Sequence, residues 1–387
     1  MWTGVSQKRI ATGNILLSID NSTVKNSLLD FLRKEVIFRG LSPEKARQRR
    51  EEQRSLLDRL AALCAEREAD VVLIAGDLFD GDGVYYETTR MLADVFGAMK
   101  AHIFIAPGNH DPYSDYSPYA SVRWPDNVHV FHSEYFERVE LPELGAVVYG
   151  TAFTSKYRDN SPLEHFKGDY DEGLTRLMVL HGDLSAAKSR YGALTGDQLA
   201  ATGMDYIALG HVHKYTELWQ KNGTAWAYCG CPEGRGFDET GDKGVLAGTV
   251  APGEVSMEFV PLCLRRYQEI DVDVTGKDPA AALMEAIPLG SGQDICRFRF
   301  VGERREEALN LGYLYAQVEK KFFDVQLQDA TRLETGLWDR LEEDNLTGLF
   351  LRNIKTRMEQ ASPEELPLLE RAARFGLCAL EGREEPR

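Results

Sequence analysis

Short apolar runs alternate with amphipathic stretches between residues 38 and 264. The run at residues 71–75 predicts a strand buried on both faces, because it is short, continuously apolar and followed by a turn signal. Residues 43–69 before it predict one long charged helix, and residues 86–100 after it predict a second helix. Strands separated by helices predict an α/β layered fold whose functional loops follow the strand ends.

The other apolar runs extend this alternation. On the helix predicted over residues 43–69, apolar residues form one buried stripe, at Leu56, Leu57, Leu60 and Leu63. Further runs that end at a glycine or a polar cluster predict strands at residues 102–105, 146–149, 177–180, 206–209 and 225–228.

The pattern changes near residue 265. Alternating apolar and charged residues predict two half-exposed strands, at 270–274 and 296–300, with a short helix capped by Asp278-Pro279 between them. Helical patterns dominate from residue 304, with a break near 322–327. The predicted organisation is an atypical segment at 1–37, a main domain at 38–264, a smaller α+β domain at 265–330 and a helical region at 331–387.

Composition narrows the class of protein. The 387 residues are 43% hydrophobic, enough for a sizeable core, and the formal net charge is −16. Such acidity argues against a free-standing nucleic-acid surface, so bound metal or a partner would have to supply positive charge for a polynucleotide substrate. Six cysteines without framework spacing indicate a reduced protein. No signal peptide or membrane span is predicted, and a soluble cytoplasmic protein is expected.

Polar clusters directly follow five of the predicted strands. They are Gly76-Asp77-Leu78-Phe79-Asp80, Gly108-Asn109-His110-Asp111, His181-Gly182-Asp183, Gly210-His211-Val212-His213 and the loop at residues 230–236. Each cluster alone is most simply a turn or a half-exposed strand. Together, carboxylate, amide and imidazole groups at strand ends suit divalent ions such as Mn²⁺, Fe²⁺ or Zn²⁺. An aspartate can bridge two ions ~3.5–4 Å apart, the spacing of two-metal phosphatases and nucleases. The other histidines are interpreted as structural or surface residues: His102, His129, His132 and His165.

These clusters, in this order, resemble the calcineurin-like metallophosphoesterase superfamily over residues 38–264. The stretch at 38–45 and the loop at 234–239 resemble the SbcD/YhaO-like branch, the bacterial relatives of the eukaryotic double-strand-break repair nuclease. The region after residue 265 resembles that branch's capping and helical regions, including the ending at 375–382. The resemblance implies a layered β-sandwich flanked by helices, with a smaller α+β capping domain and a helical C-terminal tail.

The resemblance also implies the roles of individual residues. Asp77 would bridge two divalent ions, Mn²⁺ first among the candidates, with Fe²⁺, Zn²⁺ and Mg²⁺ as alternatives. Asn109, His181 and His211 would complete the second site, and His213 would serve the first. His110, held by Asp111, would act on the phosphoester as general acid or transition-state stabiliser. Arg235 is a candidate substrate contact, with an ordinary surface turn as the equal alternative.

The N-terminal segment departs from the family pattern. The family opens with a strand ending in Asp-x-His, whereas this sequence has no histidine before His102. The nearest match is Asp20-Asn21-Ser22, in which Asp20 is a candidate ligand and Ser22 is a poor replacement for imidazole. Either residues 1–37 replace the native start, which is the favoured explanation, or the chain is a variant whose first site is weak or empty.

Three functions are compatible with these observations. The leading one is a Mn²⁺-dependent DNA exonuclease or endonuclease subunit in DNA repair, working with an SbcC-like coiled-coil ATPase. A homodimer is considered as well, and a membrane partner is not expected. The second is a phosphodiesterase or phosphatase acting on small nucleotides or phosphoproteins. The third is a catalytically weak subunit that binds DNA or a partner.

Overall fold

The computed structural model describes residues 16–19, 41–79, 86–169, 173–185, 188–304, 309–333 and 338–382. Its helices are α1 Pro43–Arg54, α2 Leu56–Glu66, α3 Tyr86–Ala98, α4 Pro118–Ser121, α5 Gly196–Ala200, α6 Pro279–Glu285, α7 Leu311–Val318, α8 Leu346–Glu359 and α9 Leu366–Leu380, with 3-10 turns at Ser291–Gln293 and Asp339–Glu342. Its strands are β1 Leu16–Ile19, β2 Val71–Ile74, β3 His102–Ile105, β4 Val128–Val130, β5 Glu137–Leu141, β6 Ala146–Gly150, β7 Thr175–His181, β8 Tyr206–Gly210, β9 Trp219–Lys221, β10 Thr224–Tyr228, β11 Gly244–Ala251, β12 Glu254–Pro261, β13 Tyr267–Asp273, β14 Ile295–Val301, β15 Glu303–Arg304, β16 Asp324–Asp329 and β17 Arg332–Leu333.

Two mixed sheets dominate the part of the chain before residue 265. One has the strand order β12-β11-β1-β2-β3-β4, and the other has the order β5-β6-β7-β8-β10-β9. Strands β1 to β4 are parallel to one another, as are β6, β7, β8 and β10. In the first sheet β11 is antiparallel to β1, and β12 is antiparallel to β11. In the second sheet the edge strands β5 and β9 are antiparallel to β6 and β10. Parallel strands place their carboxyl ends at one edge, where the polar clusters follow.

Strand β2 is covered on both faces. Val71 and Leu73 pack in a core that also contains Val179 of the second sheet. Val72 and Ile74 pack in a different core, with residues of α2 and α3. Helices therefore lie on one face of the first sheet and the second sheet on the other, which explains the uninterrupted apolar run. The predicted α/β layered fold is confirmed.

The helix predicted over residues 43–69 is wrong in one respect. The chain forms two helices, α1 and α2, which are separated at Ser55. The Ser55 hydroxyl donates to the Glu52 carbonyl oxygen at 2.7 Å and accepts from Arg59 Nη1 at 2.5 Å. A serine that bonds the backbone in this way competes with the regular helical ladder. The predicted stripe of four leucines on α2 is buried, as expected.

The described residues divide into two compact units. The first contains the chain up to Glu269, with Gly290–Arg297 and Lys320–Val325, and the second contains Ile270–Leu289, Phe298–Glu319 and the chain from Gln326 onwards. A further sheet has the order β13-β14-β16, and β15 pairs with β17. Asp278 caps α6 as predicted, accepting from the Ala281 amide at 2.8 Å. Among the residues described, no helix is long and apolar enough to cross a membrane.

Candidate metal centre

Four of the predicted ligands come together from four strand ends. Asp77 and Asn109 lie in the loops after β2 and β3, His181 is the last residue of β7, and His211 directly follows β8. The Asn109 amide oxygen lies 2.8 Å from His181 Nε2 and 3.1 Å from His211 Nδ1. Asp77 Oδ2 lies 3.5 Å from His181 Nε2. The structure therefore brings the predicted second-site residues into one cluster, in which three of the four side chains are buried.

The protonation of His181 makes this cluster suitable for a cation. His181 Nδ1 lies 2.8 Å from the carbonyl oxygen of Ala75. Because a carbonyl oxygen only accepts, Nδ1 carries the proton of the neutral ring, and the Nε2 lone pair faces Asn109 and Asp77. One nitrogen and two oxygens thus direct lone pairs at a common region. Ligands at right angles around one ion, each about 2.1 Å from it, lie roughly 3 Å apart, so the observed spacings fit a divalent metal.

The amide of Asn109 is essential to this fit. Within the described ranges, no group of three or more histidine, cysteine, aspartate or glutamate side chains is arranged to hold an ion. The Asn109 oxygen contacts both imidazoles and would be a ligand to a metal at this position. Burial, reinforced by the neighbouring His181, lowers the pKa of His211 to about 4. The ring is consequently neutral near pH 7, the form that binds a metal.

Backbone strain is concentrated at the same residues. Asp77 has a φ of 51° and His211 a φ of 107°, values that residues with a side chain rarely adopt. Gly76 and Gly108 allow the loops to approach each other closely. A Cβ at Gly76 would lie 2.5 Å from His181 Nδ1, and one at Gly108 would lie 2.2 Å from Asp77 Oδ1. Strain and close approach of this kind cluster at functional sites, where the surrounding structure enforces them.

Asp111 plays a different part from the one expected. Its Oδ1 accepts from the amides of Asp77 at 3.1 Å and Gly108 at 2.7 Å, and its Oδ2 accepts from the Phe79 amide at 2.9 Å and the Tyr119 hydroxyl at 2.5 Å. The buried carboxylate thus ties together the two loops that carry Asp77 and Asn109, rather than holding His110. Burial raises the pKa of Asp111, against the opposing hydrogen bond from Tyr119. Asp111 is therefore corrected from a partner of His110 to a residue that fixes the ligand loops.

His213 lies two residues after His211 and has a partner that the sequence did not suggest. Its Nδ1 is 3.0 Å from Oε1 of Glu239, a carboxylate with only 2% of its surface exposed. Glu239 belongs to the 234–239 loop, which was singled out by resemblance without a role for this residue. Arg235, the candidate substrate contact in that loop, is partly exposed, and its amide donates to Glu239 Oε2 at 3.0 Å.

Asp183 is a second acidic residue that received no role from the sequence. It is buried, and its Oδ2 lies 3.9 Å from His211 Nε2. Its Oδ1 accepts from the amide and the hydroxyl of Ser185. These hydrogen bonds outweigh burial and lower the pKa of Asp183, so that it is charged near pH 7. The sequence signal for a role of Asp183 was its place in the third polar cluster, His181-Gly182-Asp183.

Residues 1–15 and 20–40 lie outside the described residues, and so do the candidate ligand Asp20 and its neighbour Ser22 within the second range. Asp80 of the first cluster also lies outside them. Strand β1, which immediately precedes Asp20, is described. It lies between β11 and β2 and is parallel to β2, with Ile19 opposite Ile74. Residues 16–19 thus contribute a strand to the first sheet.

Comparisons with known proteins find a family match over the part of the chain that carries this cluster. A family model described as calcineurin-like phosphoesterase matches residues 48–215. YhaO of Bacillus subtilis (strain 168), described as an uncharacterized metallophosphoesterase, is 30% identical over 226 residues. The match covers 56% of this chain and 54% of YhaO, so the chain spans about half the length of that relative. The family match includes Asp77, Asn109, His181, His211 and His213 and ends before Glu239.

Two solved structures are also similar, with lower sequence identity. TT1561 of Thermus thermophilus gives a TM-score of 0.37 with 9% identity, covering 64% of this chain and 99% of that protein. GAP50, the anchor in the inner membrane complex of Plasmodium, gives a TM-score of 0.34 with 12% identity, covering 72% of this chain and 95% of that protein.

Proposed function

We propose that this chain, whose residues 48–215 match a family model described as calcineurin-like phosphoesterase, is a metal-dependent phosphodiester hydrolase. The observation that carries the proposal is the convergence of the Asp77, Asn109, His181 and His211 donor atoms at spacings of 2.8–3.5 Å. When bound, two divalent ions would supply positive charge to the phosphate and to the attacking water. Manganese is the proposed metal, because mixed carboxylate, amide and imidazole donors suit it.

We assign the protein groups as follows. Asp77 would be shared by the two sites, while Asn109, His181 and His211 would complete the second and His213 would serve the first. His110 lies beside Asn109 and donates its backbone amide to Asp77 Oδ1 at 2.9 Å. As water attacks phosphorus and the bond to the leaving oxygen breaks, the His110 imidazole gives that oxygen a proton or stabilises its charge.

We propose DNA as the substrate, with a role in DNA repair. Support comes from the likeness of the 38–45 and 234–239 stretches to the SbcD/YhaO-like branch. With a net charge of −16, the chain would gain affinity for DNA from its metals and from a partner.

The proposed partner is an SbcC-like coiled-coil ATPase, and the second unit offers a surface of suitable chemistry. In that unit α8 and α9 pack on each other around Leu351, Ile354 and Ala373. Both helices also expose large apolar side chains, including Leu349 at 60% and Leu368 at 68% of their surface. Exposed apolar residues on paired helices match the apolar seam of a coiled coil, which supports docking by this unit.

Matched substrates test the hydrolase proposal. With Mn²⁺, the purified chain should cleave a chromogenic phosphodiester faster than the corresponding monoester, and it should degrade DNA. Cleavage of the monoester alone would overturn the diesterase proposal in favour of a phosphatase. Cleavage of the chromogenic diester without any DNA degradation, with or without the ATPase, would favour a small nucleotide as substrate.

We predict that the two metal sites differ in affinity. The second site has a complete set of described protein ligands, whereas the sequence offers no histidine before His102 for the first. Titration with Mn²⁺, followed by the electron paramagnetic resonance of the free ion, should show one tight site and one weaker site. Two equally tight sites would contradict this prediction and would make Asp20 the first residue to examine as an additional ligand.

The missing histidine also favours a second candidate function, a catalytically weak subunit that binds DNA or a partner. This candidate predicts the tight site alone, with DNA binding but no hydrolysis at any Mn²⁺ concentration. Hydrolysis that rises as the weaker site fills would exclude it.

A further inference from the structure

We propose that Glu239 is a positioning residue that prepares His213 to bind metal at the first site. The inference rests on the proposed role of His213 as a first-site ligand and adds to it a residue outside the family match, which ends at residue 215.

The contact between the two side chains fixes the tautomer of the histidine. His213 Nδ1 lies 3.0 Å from Glu239 Oε1. Because an ionised carboxylate only accepts, Nδ1 carries the proton of the neutral ring, and the lone pair lies on Nε2. His181 is prepared in the same way, by the carbonyl oxygen of Ala75. Metal-binding histidines commonly donate their second ring nitrogen to a carboxylate or a carbonyl, which orients the ring and raises its basicity.

Glu239 is itself held in place. Its Oε2 accepts from the Arg235 amide at 3.0 Å, and its own amide donates to the Gly236 carbonyl oxygen at 3.0 Å. With one oxygen bonded to the loop and the other to His213, the carboxylate cannot rotate without breaking a hydrogen bond. Burying a carboxylate is unfavourable unless hydrogen bonds compensate for lost water, so a buried carboxylate directed at a histidine of the fourth cluster indicates a purpose at that site.

The backbone of His213 is also fixed. Its carbonyl oxygen accepts from Lys243 Nζ at 3.0 Å and from the Cys231 amide at 3.3 Å. Lys243 is buried, so this hydrogen bond is shielded from water. The ring and the main chain of His213 are therefore both held by the segment at residues 231–243.

The segment that carries Glu239 is anchored to the helical layer. Glu233 Oε1 pairs with Arg49 Nη2 at 3.0 Å, and Glu233 Oε2 pairs with Arg59 Nη2 at 2.8 Å. Arg49 Nη2 also donates to the Gly234 carbonyl oxygen at 3.0 Å. These buried ion pairs hold the start of the loop in one conformation. The loop that carries Glu239 therefore begins at a fixed position.

Glu239→Gln tests the proposal with little change in size. A glutamine side chain has one acceptor oxygen, so it can accept from His213 or from the Arg235 amide but not from both as glutamate does. Asp238→Asn is the matched control. Asp238 is exposed and directly precedes Glu239, so this substitution removes the same charge from the neighbouring position. His213→Ala identifies the site that depends on the histidine, and thermal unfolding checks that each variant is folded.

Two measurements on the full chain decide the outcome. In the metal-free protein labelled with ¹⁵N-histidine, His213 should be protonated at Nδ1, and Glu239→Gln should shift it towards a mixture of tautomers while Asp238→Asn leaves it unchanged. In a Mn²⁺ titration, Glu239→Gln should weaken one site by about 10–100-fold, the usual cost of losing such a partner. The same site should be lost in His213→Ala, and the other should be unchanged.

The possible failures are distinguishable. If His213→Ala weakens a site but Glu239→Gln changes neither affinity nor tautomer, Glu239 is not a positioning residue and the proposed function stands. If neither variant alters Mn²⁺ binding, His213 is not a ligand, and the first-site assignment and this inference both fail while the second site remains. If the unaltered chain takes up no Mn²⁺ at all, the proposed function is overturned together with the inference.

Discussion

Replacing His110 with alanine is expected to lower turnover of a phosphodiester by about 10²–10⁴-fold, the usual contribution of a general acid or base. Uptake of Mn²⁺ should remain nearly unchanged. The structural reason is that the His110 backbone amide donates to Asp77 Oδ1 at 2.9 Å. An alanine retains this amide, so the carboxylate of Asp77 keeps its hydrogen bond and only the imidazole is removed.

The measurement pairs steady-state kinetics with a Mn²⁺ titration on the same preparations. His132→Ala serves as the control, because its side chain is 59% exposed and pairs with Glu137, outside the ligand cluster. Asn109→Ala, by contrast, is expected to lose Mn²⁺ binding as well as turnover. Loss of Mn²⁺ in His110→Ala would place His110 among the ligands, and unchanged turnover would remove it from the reaction.

The arrangement of the strands, and hence of most ligands, could be predicted from the sequence. Strands β2 and β3 are buried on both faces, so their apolar residues form uninterrupted runs, and a polar cluster after such a run marks the sheet edge. Asp77 and Asn109 were found in this way. The separation of α1 from α2 could not be predicted, because the apolar stripe begins directly after Ser55 and only the hydrogen bonds of the Ser55 hydroxyl reveal the break.

The partners of the ligands were beyond the reach of sequence patterns. The family resemblance implied that Asp111 holds His110. The Asp111 carboxylate instead accepts hydrogen bonds from backbone amides. Every residue type except proline carries such an amide, so these partners cannot be predicted from the sequence. Glu239 lies 26 residues from His213, and their contact depends on the path of the connecting loop.

Replacing Arg49 with alanine is expected to lower the free energy of unfolding by about 3–5 kcal/mol, the usual cost of removing one member of a buried ion pair. Arg49 is fully buried. Its guanidinium pairs with Glu52 Oε2 at 2.9 Å and with Glu233 Oε1 at 3.0 Å. Burial already raises the pKa of Glu233, against the opposing charge of Arg49. Without Arg49, the carboxylate would keep its contact with Arg59 but lose its most deeply buried partner.

The destabilisation should appear in urea denaturation, with Arg47→Ala as the control. Arg47 lies on the same helix and is exposed, so its removal should change stability by no more than about 0.5 kcal/mol. Arg49→Met should recover part of the loss, since methionine refills most of the space that alanine leaves empty while Glu233 stays paired with Arg59. Equal stabilities of Arg49→Ala and Arg47→Ala would show that the buried pair adds nothing to folding. Because Arg49 also holds the Gly234 carbonyl oxygen, folded Arg49→Ala protein should lose more Mn²⁺ affinity, relative to the unaltered chain, at the site that depends on His213 than at the other.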